Sequence, residues 1–288
     1  MVISFFHIIR WPNLLIVALI QYLIYSQLLH TSQSVLGLTD FLLLSAITVL
    51  IAGSGYVIND YYDGPIDHIN RPHRWIAGNT WTMQRVLAVY FSLAALGAIL
   101  SVLIAVRLSM LAYLFIYPLA LLGLWIYSFA LKCKPLAGNL WVSLFCAGVV
   151  LIVALPDLLN ENGEVIRPEL WYYIAFAFLT TWYREVVKDL EDVEGDTRAS
   201  CRTFIVHYGL LPGKIMALVL GIFLVAALYA WDINQTGNTQ KLIFTLMQGS
   251  IIASMAFVWW ARDNVYFHRA SLVIKGVMLA GTSLLLII

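Results

Sequence analysis

The chain has 288 residues with a formal net charge of +1; 61% of them are hydrophobic, 14% aromatic and only 11% charged. That composition excludes a soluble globular protein and describes an integral membrane one. Lys and Arg occur singly or in pairs, which excludes bulk nucleic acid as a partner. The three cysteines, Cys133, Cys146 and Cys201, lack paired metal-type spacing, and no His-Glu-x-x-His sequence occurs among the six histidines, so neither zinc nor a structural disulfide is predicted.

A bilayer core of about 30 Å needs roughly 20 apolar residues per helix. Nine windows fit, near 12–30, 40–60, 84–106, 108–130, 137–156, 169–188, 213–231, 241–261 and 270–288. The first follows Met1-Val2-Ile3-Ser4 without a basic n-region or a small-residue cleavage site, and so reads as a retained helix. The third and fourth are separated only by Val106-Arg107-Leu108, but together they are too long for one span. The expected fold is all-α, a polytopic membrane protein of nine transmembrane helices. With the N-terminus and the even-to-odd loops on one side, every Lys and Arg except Arg107, Arg167 and Lys241 lies there. The positive-inside rule makes that side cytoplasmic, in the plasma membrane of a bacterium or archaeon.

The second window runs into Asn59-Asp60-Tyr61-Tyr62-Asp63-Gly64-Pro65-Ile66-Asp67-His68-Ile69-Asn70-Arg71-Pro72, and the sixth into Asp189-Leu190-Glu191-Asp192-Val193-Glu194-Gly195-Asp196. Asp60, Asp63 and Asp67 align with Asp189, Asp192 and Asp196 at identical spacing. Positions i, i+3 and i+7 share one helix face, so each stretch is expected to aim three carboxylates one way. The offset covers four helices and suggests an internal duplication, roughly 1–136 and 137–288, within a single domain spanning 1–288. The short external loops and the acidic segment Asp157–Glu164 read as solvated turns.

One carboxylate at a membrane edge reads as a solvated cap. Two matched triads on one membrane face need coordination, because ionised groups there must be paired, hydrated or bound. Carboxylate oxygens suit Mg²⁺ shared with phosphate oxygens, so the reading is two acidic faces opposed across a cavity, holding Mg²⁺ and a diphosphate. Arg71, Lys132 and Lys188 flank the motifs and could neutralise that diphosphate. A phosphate site beside lipid suits an amphiphile such as a prenyl diphosphate. Mg²⁺ would stabilise the departing diphosphate, and aromatic faces would hold the allylic cation. Tyr61, Tyr62, Tyr127, Trp182 and Tyr183 lie near the motifs, with Tyr127, a few residues before Lys132, the best candidate.

Asn59-Asp60-x-x-Asp63-x-x-x-Asp67 with Asn70-Arg71-Pro72, and Arg184-Glu185-x-x-Lys188-Asp189-x-x-Asp192-x-x-x-Asp196, resemble the UbiA superfamily of intramembrane prenyltransferases. Arg10-Trp11-Pro12-Asn13 is similar to the start of the family's helix 1. Tyr127-Ser128-x-x-Leu131-Lys132-x-x-Pro135-x-x-Gly138-Asn139 is similar to its helix 4 to 5 connection. The resemblance implies a nine-helix bundle around a central cavity with a lateral opening for the prenyl tail. It implies Mg²⁺ held directly or indirectly by Asn59, Asp60, Asp63, Asp67, Asp189, Asp192 and Asp196. Diphosphate contacts would come from Arg10, Asn13, Asn59, Arg71, Lys132 and Lys188, and the catalytic set would be Asp63, Asp67, Asp192, Asp196, Lys132 and Tyr127. Val193-Glu194-Gly195-Asp196 and Ile69-Asn70-Arg71-Pro72 look most like the branch containing digeranylgeranylglyceryl phosphate and chlorophyll synthases. Here Asn-Arg-Pro-x-Arg continues as Trp75-Ile76-Ala77-Gly78-Asn79, where many members have a Pro-Ser-Gly type sequence.

The activity expected is Mg²⁺-dependent transfer of a prenyl group from its diphosphate to a lipophilic or phosphate-bearing acceptor, with geranylgeranylglyceryl phosphate a candidate. Two rivals remain. A terpene cyclase would ionise the same diphosphate without an acceptor. A cation transporter would use the acidic faces for a permeating ion.

Overall fold

The structure is a computed structural model describing residues 2–29, 35–70, 76–159, 167–233, 235 and 237–287, with the side chains of residues 2 and 65–70 outside that description. It divides into two compact units, residues 1–131 with 151–166, and residues 132–150 with 167–288. The described residues are helical, with no strand among them beyond an isolated bridge between Ala77 and Trp81. Every one of the nine apolar windows falls on a helix. Seven helical segments are long and apolar enough to cross a membrane. The helices over windows 169–188 and 270–288 are not among those seven. The first of them carries Arg184, Glu185, Lys188, Asp189 and Glu191 in its last two turns, and the second carries His268, Arg269 and Lys275.

The first unit holds α1 (Val2–Ile8), α2 (Trp11–Leu23), α3 (Leu38–Asn70), α4 (Met83–Arg107) and α5 (Ala112–Ile126). Pro12 sits in the first turn of α2, where its missing N–H costs nothing, and Thr82 caps α4 by accepting the Arg85 N–H at 3.4 Å. π-helical turns extend α2 over Ile24–Leu29 and α5 over Tyr127–Leu131. Arg107 closes α4, Ser109 takes a left-handed φ of 54° that breaks the run, and α5 follows, so the third and fourth windows are two helices. Helix α3 packs against α2, α4 and α5. Under its polar end, Ile8, Ile9, Leu14, Val57, Ala77, Trp81 and Val86 form one buried cluster. Deeper along α3 the Gln21 amide donates to Thr48 Oγ1 at 3.2 Å, which keeps that buried amide hydrogen-bonded inside an apolar helix pair. Asp157 accepts the Val35 N–H at 2.7 Å, so the solvated turn predicted there begins with an engaged carboxylate; residues 160–166 lie outside the described residues.

The second unit contains most of α6 (Ala137–Leu159), then α7 (Pro168–Glu191), α8 (Val193–Arg198), α9 (Phe204–Tyr208), α10 (Leu210–Asp232), α11 (Asn238–Trp260) and α12 (Asn264–Leu284). Helix α7 packs against α10 and α12, and α11 against both of these. Tyr173, Trp231 and Phe244 form an edge-to-face aromatic cluster, and the Tyr173 hydroxyl donates to the Gly281 carbonyl. Tyr183 shares a 2.9 Å hydrogen bond with Ser254, which also donates to the Ala270 carbonyl at 3.2 Å. Large apolar side chains remain exposed on both units, among them Ile99 (66%), Val106 (70%), Phe223 (59%) and Trp260 (69%). Exposed apolar surface on that scale belongs in lipid.

The prediction of no structural disulfide is corrected: Cys133 and Cys201 are joined, and Cys146 is free. The partners are 68 residues apart, so their pairing depends on the tertiary fold and leaves no local spacing signal.

Candidate active site

Helix α3 does not stop where its apolar window ends. It carries Asn59–Asn70 on one continuous backbone, so Asp60, Asp63 and Asp67 do occupy one helix. The Asn59 amide donates to Asp63 Oδ2 at 2.5 Å, one turn along, and both side chains are buried. Asp60 instead receives Arg10 Nη2 at 2.7 Å. Arg10 holds a left-handed φ of 53° at the junction of α1 and α2, and its guanidinium lies 5.0 Å over the Tyr56 ring. That backbone turn and the stacking aim the side chain at α3. Asn13 is exposed on the first turn of α2. The Asp67 side chain and all of Arg71 lie outside the described residues.

The second motif departs from the expected single helix. Helix α7 ends at Glu191 and α8 begins at Val193, with Asp192 at the junction (φ −94°, ψ 6°). The Asp192 N–H still reaches the Lys188 carbonyl at 2.8 Å, and the Asp196 N–H reaches the Asp192 carbonyl at 3.0 Å. The three aspartates therefore keep near-helical spacing across a bend. Asp196 is buried, whereas Asp189 and Asp192 are half-buried. Asn139, on the first turn of α6, donates to Asp189 Oδ2 at 3.0 Å. Burial raises Asp189 to about 7, with the charges of Glu185 and Asp196 adding to the rise and the Asn139 hydrogen bond opposing it.

Three basic residues of this unit act on Glu185. Lys188 Nζ lies 2.7 Å and Arg184 Nη1 3.2 Å from its carboxylate, and the Lys132 charge also acts on it. Lys132 directly follows the π-helical turn that begins at Tyr127, and both are half-buried. Sequence reading gave no role to Glu185 or Asn139. Both stand in the motifs quoted for the family resemblance; the i, i+3 spacing of Glu185 and Lys188 also signals their pairing, whereas nothing local signals that Asn139 pairs with Asp189, 50 residues away.

Among the described residues, no three His, Cys, Asp or Glu side chains converge on one point that could hold a metal ion. The donors occur as smaller groups: Asn59 with Asp63, and Asp189 with Asp196 close enough to raise its pKa. All are oxygen donors. Carboxylates of which one, Asp189, is raised by burial with the charges of Glu185 and Asp196 adding to the rise suit a hard divalent cation such as Mg²⁺ and do not suit zinc.

A chain of long apolar helices with two oxygen-rich, partly buried acidic motifs and basic side chains beside them has the features of an enzyme that handles phosphorylated lipids. The UbiA prenyltransferase family profile matches residues 13–272. A digeranylgeranylglyceryl phosphate synthase of Methanothermobacter thermautotrophicus is 34% identical over 244 residues, covering 83% of this chain and 82% of the relative. One of Methanobrevibacter smithii is 32% identical over 239 residues, covering 83% of each. Among solved structures, one described as giving insight into digeranylgeranylglyceryl phosphate synthase in membranes matches 99% of this chain and 97% of its own, at a TM-score of 0.73 and 21% identity. A UbiA homologue from Archaeoglobus fulgidus bound to GPP and Mg²⁺ matches 98% of this chain and 99% of its own, with a TM-score of 0.63 and 14% identity. The chain belongs to the UbiA prenyltransferase family. It is a membrane-embedded prenyltransferase.

Proposed function

We propose that the chain transfers a prenyl group from a prenyl diphosphate to geranylgeranylglyceryl phosphate, or to a closely similar lipophilic phosphate-bearing acceptor, in a Mg²⁺-dependent reaction. The observation that carries this reading is the identity of 32–34% to digeranylgeranylglyceryl phosphate synthases over more than four-fifths of the chain. The A. fulgidus homologue bound to GPP and Mg²⁺ supports a metal-bound diphosphate donor.

In this reading Asn59, Asp60, Asp63, Asp67, Asp189, Asp192 and Asp196 hold Mg²⁺ directly or through water. The bound metal supplies charge neutralisation for the leaving diphosphate. Lys132 and Lys188, with Arg10, Asn13, Asn59 and Arg71, bind and orient the diphosphate oxygens. Lys188 is held by Glu185 until the substrate phosphates compete for it. Tyr127 offers an aromatic face to the allylic carbon as positive charge develops there. The carbon–oxygen bond to diphosphate breaks, the acceptor hydroxyl attacks the allylic carbon, and the hydroxyl proton passes to a nearby base or water. The whole chain acts as one domain of nine spanning helices, with its N-terminus and site on the cytoplasmic side.

Purified protein in liposomes, supplied with geranylgeranyl diphosphate, Mg²⁺ and geranylgeranylglyceryl phosphate, should release diphosphate and form the doubly prenylated lipid. Diphosphate release that proceeds equally without any acceptor would instead indicate a cyclase.

A further inference from the structure

The one covalent tie in the second unit lies beside residues the proposed reaction uses. Cys133 directly follows Lys132, on the segment joining the π-helical turn to α6. Cys201 lies five residues past Asp196, and its N–H donates to the Asp196 carbonyl at 2.8 Å. Ser200, at a φ of 57°, reverses the chain between them, and the Thr203 N–H closes back on the Cys201 carbonyl at 3.0 Å. Asp196 and Cys201 thus form one tight turn, and the disulfide fastens the Lys132 segment to it. Neither cysteine lies on α7, α10, α11 or α12, the long helices that pack against one another in this unit. Cys201 is 2% exposed, whereas Cys133 is half-buried, so an incoming thiolate reaches the bridge at Cys133.

We propose that the Cys133–Cys201 disulfide is a redox-modifiable tie that positions Lys132 against the second acidic motif, so that its reduction by a dithiol weakens diphosphate binding. The proposal rests on the reading that Lys132 contacts the diphosphate. In the exchange, a dithiol's thiolate attacks Cys133 Sγ, the bond to Cys201 breaks, and Cys201 leaves as a thiolate that takes up a proton. The dithiol's second thiolate then attacks its own sulfur in the mixed disulfide and releases Cys133. The protein gains two electrons and two protons, and the dithiol becomes a cyclic disulfide. Freed, the Lys132 segment must be ordered again each time diphosphate binds, which costs about three- to tenfold in affinity.

The test uses the full chain in liposomes. After denaturation in detergent, alkylation without reductant should label one cysteine, Cys146, and after dithiothreitol it should label three. KM for prenyl diphosphate and the affinity for inorganic diphosphate with Mg²⁺, read by calorimetry, should both weaken about three- to tenfold on reduction, with KM for the acceptor unchanged. The C133S/C201S double variant should match the reduced wild type and ignore dithiothreitol. Because the wild-type comparison needs no substitution, poor folding of the variant does not spoil the test. Three labelled cysteines before reduction, an unchanged diphosphate affinity after it, or a double variant that still responds would each overturn the proposal. Absent turnover with the redox-dependent affinity intact would refute the transferase reading alone.

Discussion

Replacing Asn139 with Leu removes the amide that donates to Asp189 at 3.0 Å and keeps a side chain of similar size in a buried position. A hydrogen bond to an ionised group contributes about 1.5–3 kcal/mol, which corresponds to roughly one to two pKa units. Asp189 already titrates at about 7 because burial and neighbouring carboxylates disfavour its charge, so losing the donor moves it higher still. At pH 7.5 a carboxyl titrating near 7 is about three-quarters ionised, whereas one near 8.5 is about one-tenth ionised. A metal ligand must be deprotonated to bind. If Asp189 holds Mg²⁺, half-saturating Mg²⁺ for N139L should therefore rise about eightfold at pH 7.5 and return toward the wild-type value near pH 9.5. In the wild type the same linkage makes Mg²⁺ affinity fall as pH drops through about 7. The assay is diphosphate release against Mg²⁺ concentration at the two pH values. Superimposable curves at pH 7.5, or an offset that persists unchanged at pH 9.5, would refute the reasoning.

Asp63→Ala and Asp192→Ala should each abolish diphosphate release while leaving the melting temperature within a few degrees of wild type, and EDTA should do the same reversibly. Retained turnover in both variants would remove these residues from the mechanism. Because Asp60 is shared with Arg10 in a part-exposed ion pair worth under about 1 kcal/mol, Asp60→Asn should lose less activity than Asp63→Asn; equal losses would put the two on the same footing. At Gly213, on α10, an added Cβ would lie 2.7 Å from Ile205 Cγ1 and 2.9 Å from Leu190 Cδ2, beside the second motif. Overpacking of this kind costs about 1–3 kcal/mol, so Gly213→Ala should lower thermal stability. Gly249→Ala, which meets nothing within 4 Å, should not.

Hydrophobic windows were legible because a membrane span has a fixed length: each falls on a helix, and seven helical segments among the described residues are long and apolar enough to cross a membrane. Where polar residues crowd a helix end, the limits shifted. Helix α3 runs past its apolar window to Asn70, since nothing in Asn59–Asn70 stops a helix except Gly64-Pro65, and Pro65 leaves the backbone helical here. The bend at Asp192 was invisible, because the i, i+3, i+7 spacing of the second motif is the same whether α7 continues or breaks. Local pairs such as Glu185 with Lys188 could be read from spacing. Contacts made by long-range folding could not, whether Asn139 to Asp189, Arg10 to Asp60, or Cys133 to Cys201. The last of these also shows why odd cysteine spacing in a membrane protein is weak evidence against a bridge.

The location of the carboxylates makes its own case for a cation. Asp63 and Asp67 occupy the last two turns of α3, and Asp189 and Glu191 the last turn of α7. A helix C-terminus carries about half a negative charge, so each acidic side chain there loses about 0.3–1 kcal/mol where Lys or Arg would gain it. Local partners offset part of this: Arg10 beside Asp60, Lys188 beside Glu185, His268 at 2.9 Å from Glu191. Burial still leaves Asp189 raised to about 7, so among the described residues the compensation is incomplete where the proposed metal would bind. A divalent cation bound at such oxygens gains from the helix dipole, the carboxylates and their repulsion together. The arrangement is costly without the ion and favourable with it, as expected if folding and metal binding are thermodynamically linked.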